Sequence, residues 1–314
     1  MNILTNGQLT AHISPQGAAL MGLWHADYSN CLTISPADAK IISHEPHYCG
    51  ALVGPVANRV SGAEVTIGNT RYCLASNEGP NTLHSGPDGL HNKLWSVVAQ
   101  TDAHVTLEIE LPCGDAGLPG NRKITVNYAL EADGRLCLDI KASTNRVTVM
   151  NIAHHPYWNL DGSDTVACHR LQVAATQYTP TDRANLPTGK LAPVHGSPYD
   201  FRDPTPVTTA QTLDGNLCLA QTRRNAPAFA ARLSAAGGPT LEIFTTEPGL
   251  QVYNGSGLSD DGTVLHAGQR FRPFAGIALE PQGWPNAANT DGFPSILLAP
   301  GHLYHQQTVY RISQ

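Results

Sequence analysis

At 314 residues, with 41% hydrophobic and only 14% charged side chains, the chain has material for a large packed core. Its formal net charge is −6 and its 19 basic residues form no run, which argues against nucleic acid or an anionic membrane surface as a partner. No apolar stretch is long enough to span a bilayer, and Met1-Asn2-Ile3-Leu4-Thr5-Asn6-Gly7 lacks the basic and apolar regions of a secretory leader.

In chain order, the first clean period-2 pattern is Val105-Thr106-Leu107-Glu108-Ile109-Glu110-Leu111. Ile124-Thr125-Val126-Asn127-Tyr128 and Leu136-Cys137-Leu138-Asp139-Ile140 follow, joined across Asp133-Gly134, whose tolerance of positive φ suits a tight hairpin turn. Further strands are expected over Val147-Thr148-Val149-Met150-Asn151-Ile152, Leu241-Glu242-Ile243-Phe244-Thr245, Leu250-Gln251-Val252-Tyr253, Ile277-Ala278-Leu279-Glu280 and Thr308-Val309-Tyr310-Arg311-Ile312. The Pro-rich stretch from Tyr178 to Pro206 reads as a long ordered excursion anchored by Leu186, Tyr199 and Phe201. No window carries a 3.6-residue repeat with caps, and 29 Gly and 23 Pro supply turns. The expectation is an all-β chain: one large single-domain antiparallel β-sandwich over residues 1–314, with no linker to divide it.

Seven Cys, at 31, 49, 73, 113, 137, 168 and 218, form no C-x-x-C pair. An odd, irregular set reads as reduced thiols in a cytoplasmic protein, with those in runs such as Leu136-Cys137-Leu138 acting as small buried residues. Signatures of phosphate loops, dinucleotide sites and serine hydrolases are absent. Among 14 His, the pairs His44/His47, His154/His155 and His302/His305 stand close in sequence. Adjacent strand residues point to opposite faces, so His154 and His155 do not readily share a metal, and no metal is expected.

Chemistry concentrates in a few segments. Asn151 to Leu160 gathers His, Tyr, Trp and Asn directly after a strand, the mixture of apolar platform and donors that a hydroxyl-rich ring needs. Its bland reading is a buried structural histidine among packed aromatics. Glu280 ends the apolar run Phe274-Ala275-Gly276-Ile277-Ala278-Leu279, where a carboxylate is costly unless paired or functional. Glu247, in Thr245-Thr246-Glu247-Pro248-Gly249, reads better as a satisfied structural carboxylate. Asn58-Arg59 offers a fork-shaped donor for hydroxyls or a carboxylate, or else a surface salt bridge.

Taken in order, Tyr48-Cys49-Gly50 through Ala57-Asn58-Arg59-Val60, Asn81-Thr82-Leu83-His84-Ser85-Gly86, His155-Pro156-Tyr157-Trp158-Asn159-Leu160, Leu213-Asp214, Glu247-Pro248-Gly249-Leu250-Gln251-Val252-Tyr253 and Leu279-Glu280-Pro281-Gln282 resemble the aldose 1-epimerase (galactose mutarotase) family across essentially the whole chain. The resemblance implies a large β-sandwich that interconverts anomers of free aldohexoses or aldopentoses without metal or organic cofactor. It implies His155 as general acid and Glu280 as general base. Asn58, Arg59, His84, Tyr157, Asp214 and Gln251 are implied as substrate contacts. The protein is expected to be a monomer or homodimer. The chain departs from the family pattern in carrying Pro55 where Arg is common, His154 where Asn is frequent, and Ser85, Pro156 and Trp158 at positions often Gly, Ser or Thr, and Phe. These departures leave every implied catalytic group in place and bear on sugar preference. Two other readings remain: a sugar-binding or regulatory protein on the same fold without turnover, and a hexose-phosphate 1-epimerase, which would want clustered Arg or Lys for the phosphate.

Overall fold

In the computed structural model, which describes all residues except 39–46, 261 and 267–268, antiparallel strands dominate and the named helical segments are three-residue 3₁₀ turns. The alternating runs build a nine-stranded sheet in the order Ser96–Gln100, His104–Leu111, Arg122–Glu131, Arg135–Thr144, Tyr304–Ser313, Thr240–Thr245, Ala228–Ser234, Arg170–Val173, Thr205–Pro206. A second sheet has seven strands: Ala192–Pro193, Gln177–Tyr178, Asp214–Cys218, Gly249–Tyr253, Ile277–Gln282, Tyr157–Trp158 and Thr33–Ile34. Their facing sides form one apolar core, in which Leu107, Val126, Leu138 and Ile243 of the first sheet belong with Leu217, Val252, Ile277 and Leu279 of the second. The expected antiparallel β-sandwich is the fold observed.

The hairpin at Asp133-Gly134 closes on the pair Glu131↔Arg135, with Gly134 at φ 74°. Three residues therefore make the turn, the last in the left-handed conformation. Cys137 lies on the outer face of its strand and is only half-buried, because Leu136 and Leu138 take the inward positions. All seven Cys are free. The run 147–152 is a strand only at Thr148–Val149; beyond it the chain bridges Val56 at Asn151 and pairs again at Ala153–His154. Phe201 anchors the 178–206 excursion in the core and Tyr199 packs against it.

Register places the chemistry. In the seven-stranded sheet Val252 sits opposite Leu279 and Gln251 opposite Glu280. Directly opposed residues share a face, so Leu279 and Val252 turn to the core while Glu280 and Gln251 turn away from it. Asp214 opposes Tyr253 and joins that outward face. Tyr157 opposes Ala278, and the same register continued past Pro156 sets His155 across from Glu280. A one-residue slip would drive the Glu280 carboxylate into the core, at a cost on the order of several kcal/mol. Glu280 thus ends an apolar run without belonging to the main core.

Candidate active site

A cavity of about 450 Å³ opens on the outward face of the seven-stranded sheet. Asn58, Arg59, His84, His155, Tyr157, Asp214, Gln251 and Glu280 all line it. His154, by contrast, faces the core, where its Nδ1 meets the Tyr310 hydroxyl at 3.0 Å and its ring packs on Tyr128. Of the other paired histidines, His44 lies outside the described residues, His305 pairs with Asp139 at 2.8 Å, and His302 lines a different surface hollow. Glu247 is fully buried and held by the Arg223 fork at 2.6 and 3.0 Å. Its structural reading is the one observed.

His155 Nε2 and Glu280 Oε1 stand 3.5 Å apart, both nearly buried. The His155 backbone is fixed from both sides: Gly50 donates its amide to the His155 carbonyl at 2.9 Å, and the His155 amide donates to Ala51 at 3.0 Å. Tyr157 packs on the imidazole at 5.0 Å between centroids and Tyr48 at 5.9 Å.

His84 presents its ring edge-on to His155, with centroids 5.5 Å apart. It is clamped to Asn58 twice. The His84 amide donates to the Asn58 carbonyl, and the Asn58 amide donates to His84 Nδ1, both at 3.1 Å. An amide only donates, so Nδ1 is the bare nitrogen and the proton of neutral His84 sits on Nε2. The clamp requires left-handed backbone at both residues, φ 61° at Asn58 and 54° at His84. Ser85, also left-handed, braces it by bonding the Val56 amide and carbonyl through Oγ at 2.9 and 3.2 Å. The Asn58 side chain itself accepts from the Arg59 amide at 2.8 Å, which shapes the turn. Nitrogen and oxygen ligand atoms of His84, His155 and Glu280 lie within 4.8 Å of one another, the spacing of a three-ligand metal centre. The His84 tautomer does not fit one, because a metal would need the lone pair that the Nε2 proton occupies.

Arg59 is 7% exposed. Its Nε and Nη2 grip both oxygens of Glu78 at 2.6 and 2.8 Å, and Nη1 reaches Asp214 at 3.3 Å. Gln251 donates to the other Asp214 oxygen at 2.6 Å. Two acceptors, Glu280 Oε2 and Gln251 Oε1, are buried without a hydrogen-bond partner among the described residues. Glu78 gave no signal in the sequence, since a carboxylate in Asn77-Glu78-Gly79-Pro80-Asn81 looks like a solvated turn residue.

Burial sets the electrostatics. It pushes His155 down to about 4, and it lifts the Glu280 carboxyl well above the usual carboxylate range, helped by nearby Asp214 and opposed by Arg59. His84 is driven well below its ordinary value by burial, then by His155, His91 and Arg59. His91 falls to about 4 and His154 to about 3 for the same first reason. Each of these histidines is neutral when folded and gains a proton on unfolding below about pH 6.5. Glu280 acts in the opposite sense, because the unfolded chain releases its proton above about pH 4.5. Counting these five groups alone, near pH 5.5 the unfolded state binds almost three more protons than the folded state. Stability present above about pH 6.5 should be lost as pH falls, at roughly 4 kcal/mol per pH unit between about 6 and 5. Urea unfolding at pH 7 and pH 5.5 checks this; equal stability at both would contradict the neutral histidine cluster.

The chain is similar to known proteins along almost its whole length. The family model described as aldose 1-epimerase matches residues 2–311. Galactose mutarotase from Mus musculus is 34% identical over 99% of this chain and 93% of its own length. Aldose 1-epimerase from Escherichia coli is 31% identical over 88% of this chain and 83% of its own. Among solved structures, an aldose epimerase homologue from C. elegans superimposes with a TM-score of 0.92 at 30% identity, covering 100% of this chain and 98% of that one. A galactose 1-epimerase from Lactobacillus acidophilus gives 0.86 at 26% identity, covering 99% and 93%.

Proposed function

The chain belongs to the aldose 1-epimerase family, and on that premise we propose that it interconverts the α and β anomers of free aldoses, with His155 and Glu280 as the working pair. The observation that carries this reading is a buried imidazole and carboxyl 3.5 Å apart, facing a cavity with Arg59, Asp214 and Gln251 on its wall. Among the described residues lining that cavity Arg59 is the one Arg or Lys, and two carboxylates already engage it. A sugar phosphate would find that guanidinium already committed and the Asp214 carboxylate beside it, so a neutral sugar fits better. A binding protein without turnover would have no use for an acid and a base across one ring.

Mutarotation needs one proton taken from the C1 hydroxyl and one delivered to the ring oxygen. With the closed sugar bound, Glu280 as carboxylate takes the C1 proton while His155 as imidazolium protonates the ring oxygen. The C1–ring-oxygen bond breaks as the C1 carbonyl forms. Rotation about C1–C2 and the reverse transfers close the ring on the other face. The charged pair and the neutral pair hold the same number of protons, so this exchange needs no proton from solvent. Burial favours the neutral pair, which is the state reached when the ring has opened. The site is thus biased toward the high-energy open form rather than toward the closed sugar. In this reading the Nε2–H of His84 donates to a substrate oxygen and Arg59, Asp214 and Gln251 hold hydroxyls, with Asn58 and Tyr157 shaping the wall.

We also infer one domain over 1–314, because the C-terminal strand Tyr304–Ser313 lies in the middle of the larger sheet. Seven free Cys support a reducing, cytoplasmic setting. Among the described residues no helix is long and apolar enough to cross a membrane.

Polarimetry on fresh α-glucose, α-galactose and arabinose tests the reaction. Anomer equilibration should accelerate in proportion to enzyme, be unchanged by EDTA, and fall off on both sides of pH. Below about 4 His155 keeps a second proton on the pair; at high pH Glu280 gives up the only one. No acceleration with any of these sugars would overturn the reading.

A further inference from the structure

We propose that Glu78 is a positioning residue for sugar binding, which holds the Arg59 fork so that only Nη1 engages Asp214, whose carboxylate keeps acceptor capacity for a hydroxyl. This rests on the reading of the cavity as a sugar site.

Three observations carry it. The contact is two-toothed, 2.6 and 2.8 Å, and commits the Nε and Nη2 edge of the guanidinium to a carboxylate that is not among the cavity-lining residues. Arg59 is nearly buried whereas the Glu78 side chain is 37% exposed, so the clamp reaches in from outside the site. The turn bearing Glu78 is cross-bonded and tied to the strand that pairs with Arg59. Glu78 and Asn81 exchange backbone hydrogen bonds at 3.2 and 3.0 Å around Gly79, whose φ is 58°. The Asn77 side chain bonds the Leu83 amide and carbonyl at 2.7 and 3.1 Å, and Leu83 pairs with Arg59. Asn81 Oδ1 accepts from the Gly62 amide at 3.0 Å, two residues beyond the strand Arg59–Val60. A carboxylate used only for solubility would not be built into such a frame.

Without Glu78 the fork has one strong partner left. Arg59 turns its two-toothed edge to Asp214, which withdraws both groups from the sugar and neutralises Asp214. Glu280 is faced by His155, His84, Arg59 and Asp214, and Tyr310 feels it from the core side; a neutralised Asp214 no longer helps it hold its proton.

The test compares wild type, Glu78→Gln and Glu78→Asp in mutarotation of galactose, with melting temperature measured on each. Expected for Glu78→Gln is a KM raised roughly tenfold with kcat changed much less. The basic limb of its pH–rate profile should move toward lower pH, while melting stays near wild type. Glu78→Asp keeps the charge but is too short for both contacts, and should fall between. A folded Glu78→Gln with wild-type KM and wild-type basic limb overturns the proposal. If Glu78→Gln fails to fold, wild-type KM in Glu78→Asp overturns it equally. An inactive wild type would count against the sugar reading itself, so the two failures are told apart.

Discussion

Glu280→Gln is expected to slow anomer exchange by roughly 10²–10⁴-fold in kcat, with KM changed far less. The amide fits the same space, keeps an acceptor and removes only the proton exchange. Asp214 and Arg59 stay in place to hold hydroxyls, so binding survives. His155→Asn should cost a similar factor by removing the group that serves the ring oxygen. Both variants should remain folded. Glu280→Gln relieves a buried carboxyl of its desolvation, so its melting temperature should match or exceed wild type. Polarimetry with melting on the same samples checks both halves. A Glu280→Gln enzyme with wild-type kcat would remove the glutamate from the chemistry.

The second large effect is structural. Gly50 has φ 69°, and a Cβ built there would lie 2.0 Å from the Leu20 carbonyl oxygen. That oxygen belongs to backbone within a paired strand and cannot swing aside as a side chain would. Gly50→Ala should therefore destabilise by roughly 2–5 kcal/mol, combining left-handed strain with overpacking. Activity should fall beyond the loss of folded protein, because the Gly50 amide holds the His155 carbonyl and any retreat from Leu20 shifts the imidazole. Denaturant midpoints together with kcat on the folded fraction check this. Wild-type values of both would mean that the strand and the loop slide apart freely here.

Much of this molecule can be read from its residues, and the exceptions have physical causes. Val105–Leu111 and Leu136–Ile140 alternate because one side of each strand is core, and both are strands with those faces. Residues 147–152 look alike in sequence, yet only two remain a strand, because the chain there leaves one partner for another across Val56 and Leu52. Period 2 also separates His154 from His155 and turns Glu280 away from Leu279, so the side of the sheet that carries the cavity was legible. The clamp of Asn58 on His84 was not. It depends on backbone amides and left-handed φ values at non-glycine residues, which leave no compositional mark. Glu78 was hidden for another reason: its partner stands 19 residues away across a turn, and a lone acid beside Gly-Pro signals solvent. Sequence singled out the groups to which the chemistry is assigned here; the groups that hold them still are visible only in three dimensions.

As proposed, His155 and Glu280 act as one unit exchanging one proton across a sugar ring. Anomer-equilibration rates of wild type, Glu280→Gln, His155→Asn and the double variant, measured on fresh α-galactose at one pH, test it most directly. Wild type should accelerate equilibration, both single variants should be crippled, and the double variant should be no slower than the worse single, because the second substitution finds nothing left to remove. A double variant whose loss is the product of the two single losses would contradict it, as would wild-type rates in either single variant.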